Sequence, residues 1–245
     1  METSTTDYRQ SHASADHATR YHERFLRNSH RRGMWKLEQD CLAGIVARHG
    51  LDAGSTYMDF ACGSGRVTSF MAPRFERAYG VDVSGAMLAI AREGGAGVEY
   101  VEGDLTSDPA LLPQKFDVVT AFRFFPNAQP ELRRAALAAI RDRLKDDGIL
   151  IWNNHLNVQS TMLRLARALT SDPASRLGMS MEEADRLMAE TGFRIVETIG
   201  LGVLPFNDRI NPLGTSGLLA AEHLLGRVPL PLSVHQNLIY VAARA

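Results

Sequence analysis

The segment Asp59-Phe-Ala-Cys-Gly-Ser-Gly65 constrains this chain more than any other stretch. It closes a short apolar run, Thr56 to Ala61, that reads as a buried strand, and it opens a helical stretch, Gly65 to Met71, that ends before Pro73. Gly63 and Gly65 admit positive φ and let a ligand approach the backbone closely. The helix that follows turns its free N–H groups toward whatever occupies the junction. A strand, a glycine loop and a helix in that order belong to an α/β fold, so the rest of the chain should alternate.

The alternation is there. Ala78 to Val83 reads as a second strand, with a helix from Ser84; Val98 to Val101 is a third strand and Phe116 to Phe122 a fourth. Leu132, Ala136, Ile140 and Leu144 mark one helix face that Gly148 terminates, and Ile149 to Asn153 is the fifth strand. Such alternation implies a mostly parallel sheet covered on both faces. Upstream, the chain reads as helix from Tyr21 to a stop at Gly50, with Met34, Leu37, Cys41, Leu42 and Ile45 on its apolar face. Downstream come a helix over Val158 to Leu169, a capping box Ser180-Met-Glu-Glu183 opening a helix that ends near Gly192, and a strand over Phe193 to Ile199. A long connection, Gly202 to Val234, carries a helix around Leu218 to Leu225 before a last strand, Asn237 to Ala243. Residues 1–18, rich in Ser, Thr, His and Asp, are expected to be a disordered tail. Residues 19–245 then form one domain, with 19–50 as an N-terminal helical lid and 202–235 as an insertion before the last strand.

Charge and composition remove several function classes. The formal net charge is -1, with no run of like charges, so the electrostatic footprint of a dedicated nucleic-acid binder is missing. Cys41 and Cys62 stand in no metal-ligand spacing, and no ligand cluster for a metal is visible. The N-terminus has no apolar signal region and no stretch approaches a membrane span. A soluble cytoplasmic protein is the expectation, with a homodimer as a possible assembly and without nucleic-acid or membrane partners.

Asp82 ends the second strand, where a carboxylate can accept hydrogen bonds from both hydroxyls of a ribose. A nicotinamide dinucleotide wants GxGxxG, but the third glycine position here is Thr68. Asp59, just before the loop, would repel a pyrophosphate yet suit the amino or sulfonium side of S-adenosylmethionine.

With these residues assembled, the chain resembles the class I S-adenosylmethionine-dependent methyltransferase family over roughly residues 20–245. Asp59 to Gly65 is similar to the family's first motif, with Ala61 in place of one glycine. Val81-Asp-Val-Ser-Gly-Ala-Met87 is similar to the second, Gly103-Asp-Leu105 to the third, Phe116-Asp-Val-Val119 to the fourth and Leu144-Lys-Asp-Asp-Gly-Ile-Leu150 to the helix–turn–strand that follows. The resemblance implies a Rossmann-like sheet whose final strand is antiparallel. It also implies a cofactor site of Asp59, Ala61, Cys62, Gly63, Gly65, Asp82, Val83, Met87, Asp104, Leu105, Ala121 and Phe122. In it Asp82 would hold the ribose, Met87 would pack on the adenine and Asp104 would bond the adenine amino group.

Ligands in open α/β sheets sit beyond the carboxyl ends of the strands. Arg123, Phe124, Asn127 and Asn154 follow the fourth and fifth strands and are therefore candidates to meet the acceptor. His155 is the candidate general base, since an imidazole titrates near neutral pH; capping the next helix and binding substrate without proton transfer are its alternative roles. Cys62 reads as a small packing residue and Asp117, at the far end of its strand, as structural. Arg31, Arg32, Arg164 and Arg167 read as solvated helix residues.

The expected reaction is direct displacement at an oxygen or nitrogen of a small molecule. The sequence Phe122-Arg-Phe-Phe-Pro-Asn127 departs from the (Asp/Asn)-Pro-Pro-(Tyr/Phe) motif of enzymes that methylate nucleic-acid amines. The rival readings are a nicotinamide oxidoreductase and a non-catalytic S-adenosylmethionine-binding protein.

Overall fold

The computed structural model describes residues 27–94, 97–170 and 178–245, together with Glu23 and Phe25; the expected tail, 1–18, lies outside the described residues. The elements begin with α1 (Ser29–Arg48), β1 (Thr56–Phe60), α2 (Arg66–Met71), a 3-10 turn (Ala72–Arg74), β2 (Arg77–Asp82), α3 (Gly85–Glu93) and β3 (Val98–Glu102). They continue with β4 (Phe116–Ala121), α4 (Pro130–Arg143), β5 (Leu144–Asn154), α5 (Thr161–Thr170), α6 (Met181–Glu190), β6 (Phe193–Leu201), α7 (Gly214–Leu225) and β7 (Asn237–Arg244).

The strands form a seven-stranded sheet in the order β3-β2-β1-β4-β5-β7-β6. From β3 to β5 every neighbouring pair is parallel, whereas β7 runs antiparallel to both β5 and β6. The order reverses between β1 and β4, which opens a crevice at the carboxyl ends of those strands.

Strand periodicity divides the core in two. Met58, Phe60, Val119, Leu150 and Trp152 face one cluster, where Leu137 and Ile140 of α4 cover them. Tyr57, Val118, Ile149 and Ile151 face the other, closed by Leu42 and Ile45 of α1. With both faces buried, the central strands read as continuous apolar runs, which is why they are visible in sequence.

Two element boundaries differ from expectation. The helix of Leu132 to Leu144 does not continue to a turn at Gly148; it ends at Arg143, and β5 starts at Leu144. Phe116 pairs with Leu144, then Val118 with Ile149, so residues 145–148 are accommodated as a register shift between the two contacts. Gly148 lies so close to Phe116 that an added Cβ would meet its carbonyl oxygen at 2.9 Å. Likewise α5 starts at Thr161 rather than Val158, because the Ser160 hydroxyl accepts the Leu163 N–H and caps it there. The capping box at Ser180 and Glu183 forms as expected, with both reciprocal bonds present.

The segment between β6 and β7 returns to the N-terminal helix. Leu218 of α7 rests on Gly33 of α1, where an added Cβ would lie 2.5 Å from Leu218 Cδ2. Arg31 is not a solvated residue: its Nε donates to Asp208 Oδ2 at 2.6 Å, and its side chain is only 14% exposed. Its partner lies 177 residues away, so the sequence around Arg31 carries no sign of the pair. No helix among the described residues is long and apolar enough to cross a membrane.

Candidate functional site

A cavity lies at the carboxyl ends of β1, β2, β3 and β4. Most residues expected to hold a cofactor line it: Asp59, Ala61, Cys62, Gly63, Asp82, Val83, Met87, Asp104, Leu105 and Phe122. Gly65 and Ala121 do not. Gly65 instead caps α2 at φ 73, against Tyr100 and Ala91, and Ala121 is buried within β4.

The loop is held open by the acids around it. Gly63 N–H donates to Asp82 Oδ2 at 2.8 Å, and Ser84 N–H to Oδ1 at 2.9 Å. One carboxylate thus ties the first loop to the start of α3. Burial raises the Asp82 pKa, partly offset by backbone N–H groups that favour the anion. Gly63, at φ 54, has open space where a Cβ would stand. Ala61 takes φ 53, a left-handed conformation that costs a residue with a Cβ on the order of 1 kcal/mol. At the β3 end, Asp104 accepts the Thr106 N–H at 2.8 Å and the Thr106 hydroxyl at 2.6 Å.

Asp59 is 2% exposed and accepts the hydroxyls of Thr68 at 2.6 Å and Thr120 at 2.7 Å. Burial pushes its pKa up to about 6, against the two hydroxyl bonds and Arg66. Tyr57 Oη lies 2.7 Å from Thr120 Oγ1 and is left to donate, since the Thr120 proton serves the carboxylate. The position that lacks the third glycine therefore has a role of its own, because Thr68 locks α2 to the acid of β1. Burial and the two nearby carboxylates raise the Cys62 thiol pKa well above its ordinary value, so a thiolate nucleophile is disfavoured.

The acceptor-side candidates separate. Arg123 and Phe124 line the cavity, as does Arg66 at the start of α2. Phe124 also stacks edge-on against Phe60 at 5.0 Å and Phe125 at 5.3 Å, so it serves both the wall and the core. Asn127 turns away, its amide donating to Arg123 O at 2.5 Å. Asn154 is fully buried and donates to Met179 O at 2.6 Å. Neither asparagine lines the cavity, because each side chain satisfies loop backbone instead. His155 does not line it either. Its Nδ1 is buried without a hydrogen-bond partner, and burial, then Arg123, Arg31 and Arg66, hold its pKa well below the usual imidazole value. Asp117 is structural as expected, accepting Thr56 N–H at 2.7 Å and Lys145 Nζ.

Glu38, Arg66, Thr68, Thr120 and Asn153 belong to the site and were assigned no role from sequence. Asn153 closes the expected fifth strand, and a polar residue ending an apolar strand was the available signal. Thr68 was visible only as the missing third glycine; Glu38, Arg66 and Thr120 lie singly among helix or strand residues and gave none.

The sheet order, the antiparallel β7 and this cavity meet a matching family model, described as "Methyltransferase domain", over residues 58–148. Over that stretch the chain is similar to a methyltransferase domain, and its fold is shared with S-adenosylmethionine-dependent methyltransferases of known structure. An uncharacterized methyltransferase of Schizosaccharomyces pombe is 25% identical over 228 residues, spanning 84% of this chain and 83% of its own. A ubiquinone biosynthesis O-methyltransferase of Pseudomonas paraeruginosa is 39% identical over 80 residues, 31% of this chain and 34% of that protein. This chain therefore spans about a third of that relative's length. Magnesium protoporphyrin IX methyltransferase of Synechocystis PCC 6803, solved with bound SAH, shares the fold with a TM-score of 0.67 at 16% identity, covering 97% of this chain and 98% of that one. The matched stretch, 58–148, runs from within β1 into the start of β5; α1, the end of β5 and the 202–236 segment lie outside it.

Proposed function

We propose that this methyltransferase moves the methyl group of S-adenosylmethionine onto an oxygen or nitrogen of a small molecule. The observation that carries this reading is the division of the cavity. Acids tip β1, β2 and the β3 loop on one side, and Arg123 and Phe124 follow β4 on the other.

The residues present fit the cofactor. Asp82 would receive the ribose hydroxyls, Asp104 the adenine amino group, and Met87, Val83, Leu105 and Phe122 supply an apolar wall for a flat base. Asp59 would favour the cationic end of the ligand through space, its own oxygens being bonded to Thr68 and Thr120. When bound, S-adenosylmethionine supplies an electrophilic methyl on a sulfonium, so no further activation of that group is required of the protein. The chain's residues orient the acceptor at the β4 end and exclude water. α1 and the 202–235 segment, in contact where α7 rests on α1, would serve as the lid over the acceptor side. His155 lies off the cavity wall with a lowered pKa, so no proton transfer is assigned to it.

Calorimetry with SAH and with NADH tests the cofactor, and a screen of small hydroxy and amino acceptors with labelled cofactor tests the reaction. SAH should bind tightly and NADH poorly. Equal or preferential NADH binding overturns the reading. SAH binding without transfer to any acceptor would favour a non-catalytic binding protein.

A further inference from the structure

We propose that Glu38 of α1 is a positioning residue that couples the cofactor side of the cavity to its acceptor side; this rests on the reading above. Glu38 is 1% exposed. Its Oε2 accepts Arg66 Nη1 at 3.0 Å, and its Oε1 accepts Asn153 Nδ2 at 3.0 Å. Asn153 is itself fully buried, and its Oδ1 accepts the Arg123 N–H at 2.6 Å. Arg66 and Arg123 both line the cavity, one beside the first loop and one after β4. A single carboxylate therefore fixes a residue on each side.

The network serves this coupling rather than the anchoring of α1. Leu42 and Ile45, both fully buried, already anchor that helix to the sheet. A buried carboxylate carries a desolvation cost that apolar packing would avoid. Arg66 is set further by its aromatic neighbours, its Cζ 4.0 Å from the Trp35 ring and 4.7 Å from the Phe25 ring. Arg123 takes φ 59, a left-handed conformation unfavourable for a residue with a Cβ and kept only where surroundings over-determine it. The Asn153 carbonyl supplies that constraint.

The network is also directional. Arg66 and Asn153 both donate to Glu38, and Arg123 donates to Asn153. Glu38→Gln leaves one of its two donors facing an N–H. Asn153→Asp sets two carboxylates against each other. Together the two substitutions restore every partner: the amide at position 38 donates to the carboxylate at 153, accepts from Arg66, and the carboxylate still accepts from Arg123.

The test is SAH affinity by calorimetry in the wild type, the two single variants and the double variant, with a melting curve for each. Each single variant should weaken SAH binding about tenfold or more, and the double variant should recover to within about threefold, the pattern of coupled neighbours. Folded single variants that bind SAH like the wild type, or a folded double variant that does not recover, overturn the proposal. A wild type that does not bind SAH removes the cofactor reading and this inference with it. Should a variant fail to fold, hydrogen exchange on the wild type decides. Adding SAH should slow the amide of Arg123 together with those of α1 around Glu38, and a response confined to the first loop overturns the coupling.

Discussion

The two halves of the cavity are built by different rules. The half under β1, β2 and β3 is mostly local: Asp59, Gly63, Asp82 and Asp104 lie at strand ends or in the loops directly after them, and apart from the Thr120 hydroxyl on Asp59 their hydrogen bonds reach at most 19 residues along the chain. The half under β4 and β5 is assembled from far apart. Arg123 depends on Asn153, Asn153 on Glu38, and Arg31 nearby on Asp208. The first arrangement suits a cofactor shared by many enzymes; the second leaves the acceptor pocket free to change with any of its distant contributors.

The sharpest way to break this division is His155→Ala. With His155 off the cavity wall, turnover and SAH affinity should both stay near wild type, whereas proton transfer through it would make turnover fall by roughly 10²–10⁴-fold. The wild-type rate should show no limb at the ordinary histidine pKa, because burial and nearby arginines lower the imidazole pKa. A large fall in turnover at constant SAH affinity would return His155 to proton transfer.

Asp59→Asn probes the local half through stability. The folded-state pKa of Asp59, about 6, lies above the usual 3.8, so the folded protein binds the extra proton between those values. The wild type should therefore lose stability relative to the variant as pH rises from about 4 to 6, by about 2–3 kcal/mol. Denaturant titrations of both proteins across that window measure it. A constant difference would mean that the acid ionises normally.

Asp82→Ala should cost about 1–3 kcal/mol of SAH binding, the scale of hydrogen bonds to a charged group. It should also lower the melting temperature, because Gly63 and Ser84 lose their acceptor. Unchanged affinity in a folded variant would remove Asp82 from the ligand. A smaller effect is expected from Ala61→Gly. Relief of the left-handed φ, less the added freedom of the unfolded chain, should stabilise by about 0.5–1 kcal/mol, read from denaturant titration. A loss of stability would place the strain elsewhere.

Most of the fold was legible because the central strands are buried on both faces and appear as uninterrupted apolar runs between helical periods. Where two choices were locally equal, the reading failed. Leu144 to Gly148 carries helix-turn chemistry, yet pairing of Leu144 with Phe116 draws it into the sheet. Asn127 and Asn154 were placed correctly at the sheet edge, but their side chains turned to carbonyls that no spacing rule reveals. Thr68 read as the absence of a glycine and proved to be a hydrogen-bond donor to a buried acid.

By itself the sequence determined the strand–loop–helix units and the acids at their tips, since those depend on neighbours within a few residues and on strand and helix periods. Only the tertiary structure decided which polar side chains face the cavity and which face the protein. Glu38, Asn153 and Arg123 are separated by 115 and 30 residues, and each has several chemically adequate partners along the chain. A buried polar group must be satisfied, but by whom is settled when the sheet brings distant strand ends and α1 to the same edge.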